Sequence, residues 1–196
     1  METSLVLARH GRTAWNAVGR WQGQADPPLD DEGRRQAADL ARSLDGTGIG
    51  AIVSSDLARA AETACIVGEH LDLPVTEDPR LREIDVGSWS GLTRAEVAER
   101  FPEGFARWQA GAIGHDGETR EALAERVVAA LVDIAARHPG ATVLVVTHGG
   151  AIRAARRVAT GDPGEPVPNC ATVDLTVRDG ALAPRGADRG YPSQRT

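Results

Sequence analysis

Three short, unbroken apolar runs, Ser4–Ala8 (SLVLA), Ala51–Ser54 (AIVS) and Thr142–Thr147 (TVLVVT), recur along the chain with helically spaced segments between them. Runs without strict in–out alternation predict strands that are covered on both faces. The first intervening helix opens at Asp30 and Asp31 as caps, sets Ala37, Leu40, Ala41 and Leu44 on one face, and stops near Gly46. A second spans about Leu57 to Leu71. A third opens at Thr119, carries Leu123, Val127, Ala130, Leu131 and Ile134, and ends near Pro139 and Gly140, and a fourth follows Gly150. Strands alternating with helices imply βαβ units, hence an α/β fold: a three-layer α/β/α sandwich around a mainly parallel mixed sheet. Val75–Glu77 and Ala171–Val177 read as two further strands, and Thr93-Arg94-Ala95-Glu96 as a capping box that opens a short peripheral helix closed by Pro102. No repeat or linker interrupts 1–183, which reads as one domain. Residues 184–196, rich in Arg, Gly, Pro and Ser, read as a loose tail.

Composition removes several function classes. All 22 basic residues are arginine, and with 28 acidic residues the formal net charge is −6. Without lysine there is no Schiff base, no lysine-anchored pyridoxal phosphate and no Walker-type phosphate lysine, so an anion site has to be built from guanidinium groups. Cys65 and Cys170 are far apart and belong to no CxxC, which suggests two small buried hydrophobes rather than a zinc site or a disulfide. An acidic chain with 4% aromatics lacks the basic face of a nucleic-acid binder. No apolar stretch is long enough to span a bilayer, and the expectation is a cytoplasmic protein with no membrane partner.

In open α/β sheets ligands bind beyond the carboxyl ends of the strands. Those ends are Arg9-His10-Gly11, then Ser54-Ser55-Asp56 with Arg59 just inside the next helix, and finally Thr147-His148-Gly149-Gly150. Each is unremarkable alone. Together they bring two imidazoles and two guanidinium groups to one sheet edge, a cluster that repels itself unless a phosphate-like anion joins it. Phosphoryl transfer through a phosphohistidine fits that set: one neutral imidazole attacks phosphorus while the arginines and the second imidazole stabilise the equatorial oxygens. Neighbouring guanidinium groups should lower the imidazole pKa and keep the nucleophile neutral. The leaving oxygen needs a proton, and Glu83, following the strand at Val75–Glu77, is the carboxylic acid that spacing offers.

The motifs in order resemble the histidine phosphatase superfamily, in its phosphoglycerate mutase-like branch, over nearly the whole chain. Leu7 to Asn16 (LARHGRTAWN) resembles the opening motif, which implies His10 as the phosphorylated nucleophile and Arg9 and Asn16 as phosphate ligands. Ser54 to Ala64 (SSDLARAAETA) is similar to the second motif and implies Arg59 as the second phosphate arginine. Leu81 to Gly91 (LREIDVGSWSG) resembles the acid-bearing stretch, with Glu83 as proton donor. Thr147-His148-Gly149-Gly150 resembles the last motif and gives His148 and Gly149 to the phosphate pocket. Gln22-Gly23, which borders the substrate in relatives, and Gly117-Glu118-Thr119 are weaker similarities that a loop and a helix cap also explain. One position departs from the pattern: Arg12 stands where relatives commonly carry glutamate or glutamine, and it either draws in a second anionic group or turns out to solvent.

The resemblance implies a phosphoglycerate mutase-like fold and a metal-independent phosphatase without a cofactor, acting on a small phosphorylated metabolite. The stretch from Glu83 to His148 carries one short helix and a Gly-rich loop at Gly111–Gly117, resembling compact phosphatases more than mutases. A bisphosphoglycerate-dependent mutase is the alternative. A non-catalytic phospho-ligand-binding domain is another, disfavoured because neither nucleophile nor acid is missing. Substrate identity stays open, as does assembly, with a homodimer among the possibilities. Trp15, Trp21, Trp89, Trp108 and Phe105 are candidates for a pocket wall, with packing the more ordinary role.

Overall fold

The computed structural model describes residues 2–185. Six strands form one sheet in the order β3-β2-β4-β1-β5-β6, with β1 at Thr3–Arg9, β2 at Ile49–Ser54, β3 at Val75–Glu77, β4 at Thr142–Thr147, β5 at Thr172–Arg178 and β6 at Ala181–Pro184. β1–β4, β2–β4 and β2–β3 pair in parallel, and β5 pairs antiparallel with both β1 and β6. The sheet is thus mixed and mainly parallel, as expected.

Alternate residues of the buried strands serve opposite layers because successive side chains point to opposite faces. Leu5, Leu7, Val143 and Val145 pack with Leu123, Val127, Leu131 and Ile134 of α6 (Arg120–Arg137) and with Ile152 and Ala155 of α7 (Gly149–Thr160). Val6, Ala8, Ile52, Leu144 and Val146 pack with Leu40, Ala41 and Leu44, in and just after α2 (Asp31–Ser43), and with Ala60, Ala64 and Val67 of α3 (Ala58–Leu71). These two apolar layers are the sandwich. A third cluster joins Val86, Trp89 and Val97 to Trp21, Phe105 and Trp108, from segments that follow β1 and β3.

The caps read from sequence are formed: Asp30 accepts from Gly33 N–H, Thr93 and Glu96 make a reciprocal box, and Thr119 accepts from Ala122 N–H. Three expectations change. Pro102 does not only close α4 (Arg94–Arg100); it is the first residue of α5 (Pro102–Gln109), so Glu83 to His148 holds two short helices, not one. Proline's fixed φ and missing N–H suit that first position. Cys65 is exposed, because α3 buries residues 60, 63, 64, 67 and 68 and turns position 65 outward, while Cys170 is only partly buried. β6 takes Pro184 out of the expected tail. It follows Asp179-Gly180, both at positive φ, the two-residue turn that a right-handed hairpin needs. The rest of that tail, 186–196, lies outside the described residues.

Candidate active site

Strand register assembles the site. Arg9 lies opposite Thr147 and Ser54 opposite Val146, so the residues that leave β1, β4 and β2 emerge side by side at the carboxyl edge. Backbone bonds extend the ladder one step past the strands, with His10 N donating to Thr147 O at 2.9 Å and Ser55 N to Val146 O at 2.9 Å. His10 and Ser55 are thereby fixed by the sheet itself, and His148 follows directly on the end of β4.

His10 is buried, and its Nδ1 lies 2.7 Å from Gly11 O. A carbonyl only accepts, so Nδ1 carries the proton and Nε2 keeps its lone pair. The ring stands 5.2 Å from that of His148, centroid to centroid, tilted by 57°. Burial first, then Arg59 and Arg9, hold the His10 imidazole well below its ordinary pKa. His148 is held down in the same way, by burial, then Arg59 and His10. Both rings are neutral near pH 7. The guanidinium effect read from the sequence is present, with burial the larger cause.

The two arginines are braced at their far ends. Arg59 donates to Ala25 O at 2.6 Å and Gly23 O at 2.8 Å, and Arg9 donates to Val167 O at 2.7 Å. Burial lowers Arg59 to about 10, so it remains a cation at neutral pH. Arg9 Nε, Arg59 Nε and His148 Nδ1 are buried without a hydrogen-bond partner among the described residues. Such orphaned groups are costly inside a protein. Such donors are the groups an oxyanion would pair with.

Glu83 supplies the one carboxylate that both arginines sense. Its Oε2 accepts from Gly150 N at 2.9 Å and its Oε1 from Ile84 N at 2.9 Å, which sets the carboxylate against the first turn of α7 immediately after His148. A Cβ on Gly150 would collide with that carboxylate, which would have to move aside to admit it.

Asn16 accepts through Oδ1 from Thr13 N at 3.1 Å in a capping box that opens the short helix α1 (Ala14–Ala17), which leaves its amide nitrogen as the donor for a ligand. Gln22 Oε1 accepts from Thr13 Oγ1 at 3.0 Å, and Gly23 meets the site through the carbonyl that holds Arg59. Gly149 is the first residue of α7, adjacent to Arg9. Arg12 donates from Nε to Asp30 Oδ2 at 2.9 Å, so beside the pocket it is half of an ion pair and neither a free cation nor a purely solvated side chain. Trp21, Trp89, Trp108 and Phe105 pack against one another at ring distances of 5.3 to 6.5 Å, the ordinary role for such residues.

Two further residues belong to the site and were not singled out from sequence. Ser55 Oγ lies 2.9 Å from His148 Nε2, and Asn169 Nδ2 donates to His10 O at 2.9 Å. Ser55 was visible as a strand-end hydroxyl, but its partner is 93 positions away. Among the described residues no cluster of three or more His, Cys, Asp or Glu could hold a metal ion, and no helix is long and apolar enough to cross a membrane.

Comparison with known proteins converges on one family. The profile of the histidine phosphatase superfamily (branch 1) matches residues 5–183. A metal-independent phosphoserine phosphatase of Arabidopsis thaliana is 42% identical over 158 residues, 78% of this chain and 66% of that protein. A glucosyl-3-phosphoglycerate phosphatase of Mycolicibacterium vanbaalenii is 39% identical over 168 residues, 81% of this chain and 75% of that one. The solved structure of a mycobacterial glucosyl-3-phosphoglycerate phosphatase in complex with VO3 superposes with a TM-score of 0.83 at 33% identity, covering 92% of this chain and 95% of the other.

Proposed function

The chain belongs to the histidine phosphatase superfamily and is a phosphomonoesterase, and from that premise we propose that it hydrolyses small phosphate monoesters, without a metal, by way of a phosphohistidine on His10. The observation that carries the reading is the buried His10 ring, whose Nδ1 is engaged by Gly11 O so that Nε2 is left free, beside buried donors of Arg9, Arg59 and His148 that have no partner of their own.

In the first half-reaction His10 Nε2 attacks phosphorus and the ester oxygen leaves. The arginines and His148 Nδ1 hold the equatorial oxygens, and Glu83 delivers the proton to the departing alcohol. In the second half-reaction Glu83, now a carboxylate, takes a proton from water as its oxygen attacks the phosphohistidine. Inorganic phosphate departs and His10 returns to its starting state. Gly150 N–H and Ile84 N–H fix the carboxyl group through both steps. The named relatives act on phosphoserine and on glucosyl-3-phosphoglycerate, so small alkyl phosphates carrying a carboxylate are the substrates to test first.

The test is phosphate release from p-nitrophenyl phosphate and phosphoserine with excess EDTA, comparing wild type with His10→Ala. Metal-independent turnover lost in the variant, with acid-labile, base-stable label trapped on wild type alone, is the expected result. Undiminished turnover in His10→Ala would overturn the reading.

A further inference from the structure

The loop that carries Glu83 does not hold itself in place. Residues 80–85 include one single turn of 3-10 helix at Pro79–Leu81 and otherwise no regular structure. The carbonyls of Arg80, Leu81, Arg82, Glu83 and Asp85 nevertheless have partners, and one side chain on α6 holds three of them. Arg126 Nη1 donates to Arg80 O at 2.9 Å and Arg82 O at 2.7 Å, and Nη2 donates to Glu83 O at 2.9 Å. The same guanidinium grips Glu118 in a fork, Nε to Oε1 at 2.6 Å and Nη2 to Oε2 at 2.7 Å. All five N–H donors of Arg126 are used. Glu118 closes the far end of the loop, its N–H donating to Asp85 O at 2.8 Å and its Oε2 accepting from Asp85 N at 3.3 Å.

We infer that Arg126 and Glu118 form a positioning clamp for the proton donor, and that the pair sets the catalytic efficiency of Glu83 without touching the substrate. The inference rests on the assignment of Glu83 as general acid. Only arginine fits the post: a planar fork of five donors meets three carbonyls and a carboxylate at once, whereas a lysine ammonium offers three donors from one point. The pair is mostly shielded, with 21% and 15% of the side-chain surfaces exposed, so solvent does not readily substitute for either partner. Thr147 Oγ1 donates to Leu81 O at 2.6 Å and Arg82 pairs with Asp56, which tie the same loop to the sheet. Glu83 O itself is held by Arg126 and, more weakly, by Gln24 Nε2 at 3.3 Å. Loss of Arg126 therefore frees the peptide that sets the direction of the Glu83 side chain.

A structural role and a positioning role are separated by the leaving group. A p-nitrophenolate departs readily without a proton, whereas the alkoxide of p-nitrobenzyl phosphate requires one, so only the second ester depends strongly on a well-placed acid. The kcat/KM values report steps up to release of the alcohol, and the ratio of the two esters cancels the concentration of folded enzyme. Arg126→Lys is expected to lower kcat/KM on p-nitrobenzyl phosphate by about 10²-fold, and on p-nitrophenyl phosphate by less than about threefold, as expected when a reacting group is displaced by about 1 Å. Glu118→Gln is expected to move the ratio the same way, by less. Equal losses on both esters, or none, would overturn the clamp. Glu83→Gln run alongside distinguishes the two levels: if it too leaves the ratio unchanged, the acid assignment falls and the clamp with it. If it shifts the ratio and Arg126→Lys does not, the clamp alone is wrong.

Discussion

Gly150 donates its N–H to Glu83 Oε2 across 2.9 Å, so the helix that begins directly after His148 also anchors the carboxyl group proposed as the proton donor. The histidine pocket and that carboxyl group are coupled through one helix start. Gly150→Ala should place a methyl where the carboxylate now lies. We expect kcat/KM on alkyl phosphates to fall about 10²-fold, the cost of a small misplacement at the reacting centre. The thermal midpoint should move by only a few degrees. Steady-state kinetics and a thermal melt check both, and unchanged turnover would show that the carboxylate does not work from this position.

Ser55→Ala removes the hydroxyl beside His148 Nε2 and leaves a buried ring nitrogen unpaired. Such a loss costs about 1–3 kcal/mol of stability. Because the free ring can then turn away from the phosphate, turnover should drop by about 10- to 100-fold, within the range seen when one transition-state donor is lost. Ser55→Thr, which keeps the hydroxyl, should restore more of the activity than Ser55→Cys. Equal effects of all three would dismiss the hydroxyl.

Both imidazoles, held neutral by burial and by the arginines, make stability depend on pH. The unfolded chain binds a proton on each below about pH 6.5 while the folded protein does not. More protons on the unfolded chain means that stability rises with pH up to about 6.5 and is flat above it. Below that pH the loss approaches about 1.4 kcal/mol per unit for each ring. Denaturant unfolding at pH 7.5, 6.5 and 5.5 should show this slope, and His10→Gln should roughly halve the part due to the pair. The same slope in both proteins would place the dependence elsewhere.

An anion that reaches the orphaned nitrogens should stabilise the fold. Vanadate at a hundred times its dissociation constant should add about 2.7 kcal/mol, read as a rise in thermal midpoint. Arg59→Gln, which removes a charge buried beside His10, should abolish most of that rise. A full rise in the variant would mean that the anion binds elsewhere.

What the sequence disclosed follows how far each signal reaches along the chain. Strand ends announce themselves locally, so His10, Ser54, Arg59 and His148 could be placed at one edge from residue patterns alone, and the register brings them there. Asp179-Gly180 is an equally local hairpin signal, but the strand it opens, β6, is only four residues long and runs straight into the composition of a tail. Pro102 carries both a stop and a start signal, and the start of α5 there is not legible from the stop alone. The contacts of Asn169 with His10 and of Arg126 with residues 80–83 span 159 and 43 or more positions. Nothing in a stretch of helix with 22 arginines in the chain distinguishes the one that holds the acid. Glu118 stands in a legible motif, but its use is defined only by its partner Arg126.

β1 lies between β4 and β5 in the sheet, so both neighbours of the earliest strand come from the last third of the sequence. A ribosome making this chain from its amino end must therefore release most of it before β1 can pair with anything. Throughout that interval β1 has no strand partner, and non-local pairing of this kind is slow and prone to aggregation. His10, near the amino end, meets His148 and Asn169 only after both have been made. The proposed site is thus completed by the last third of the sequence, a property of strand order rather than of any residue in the pocket.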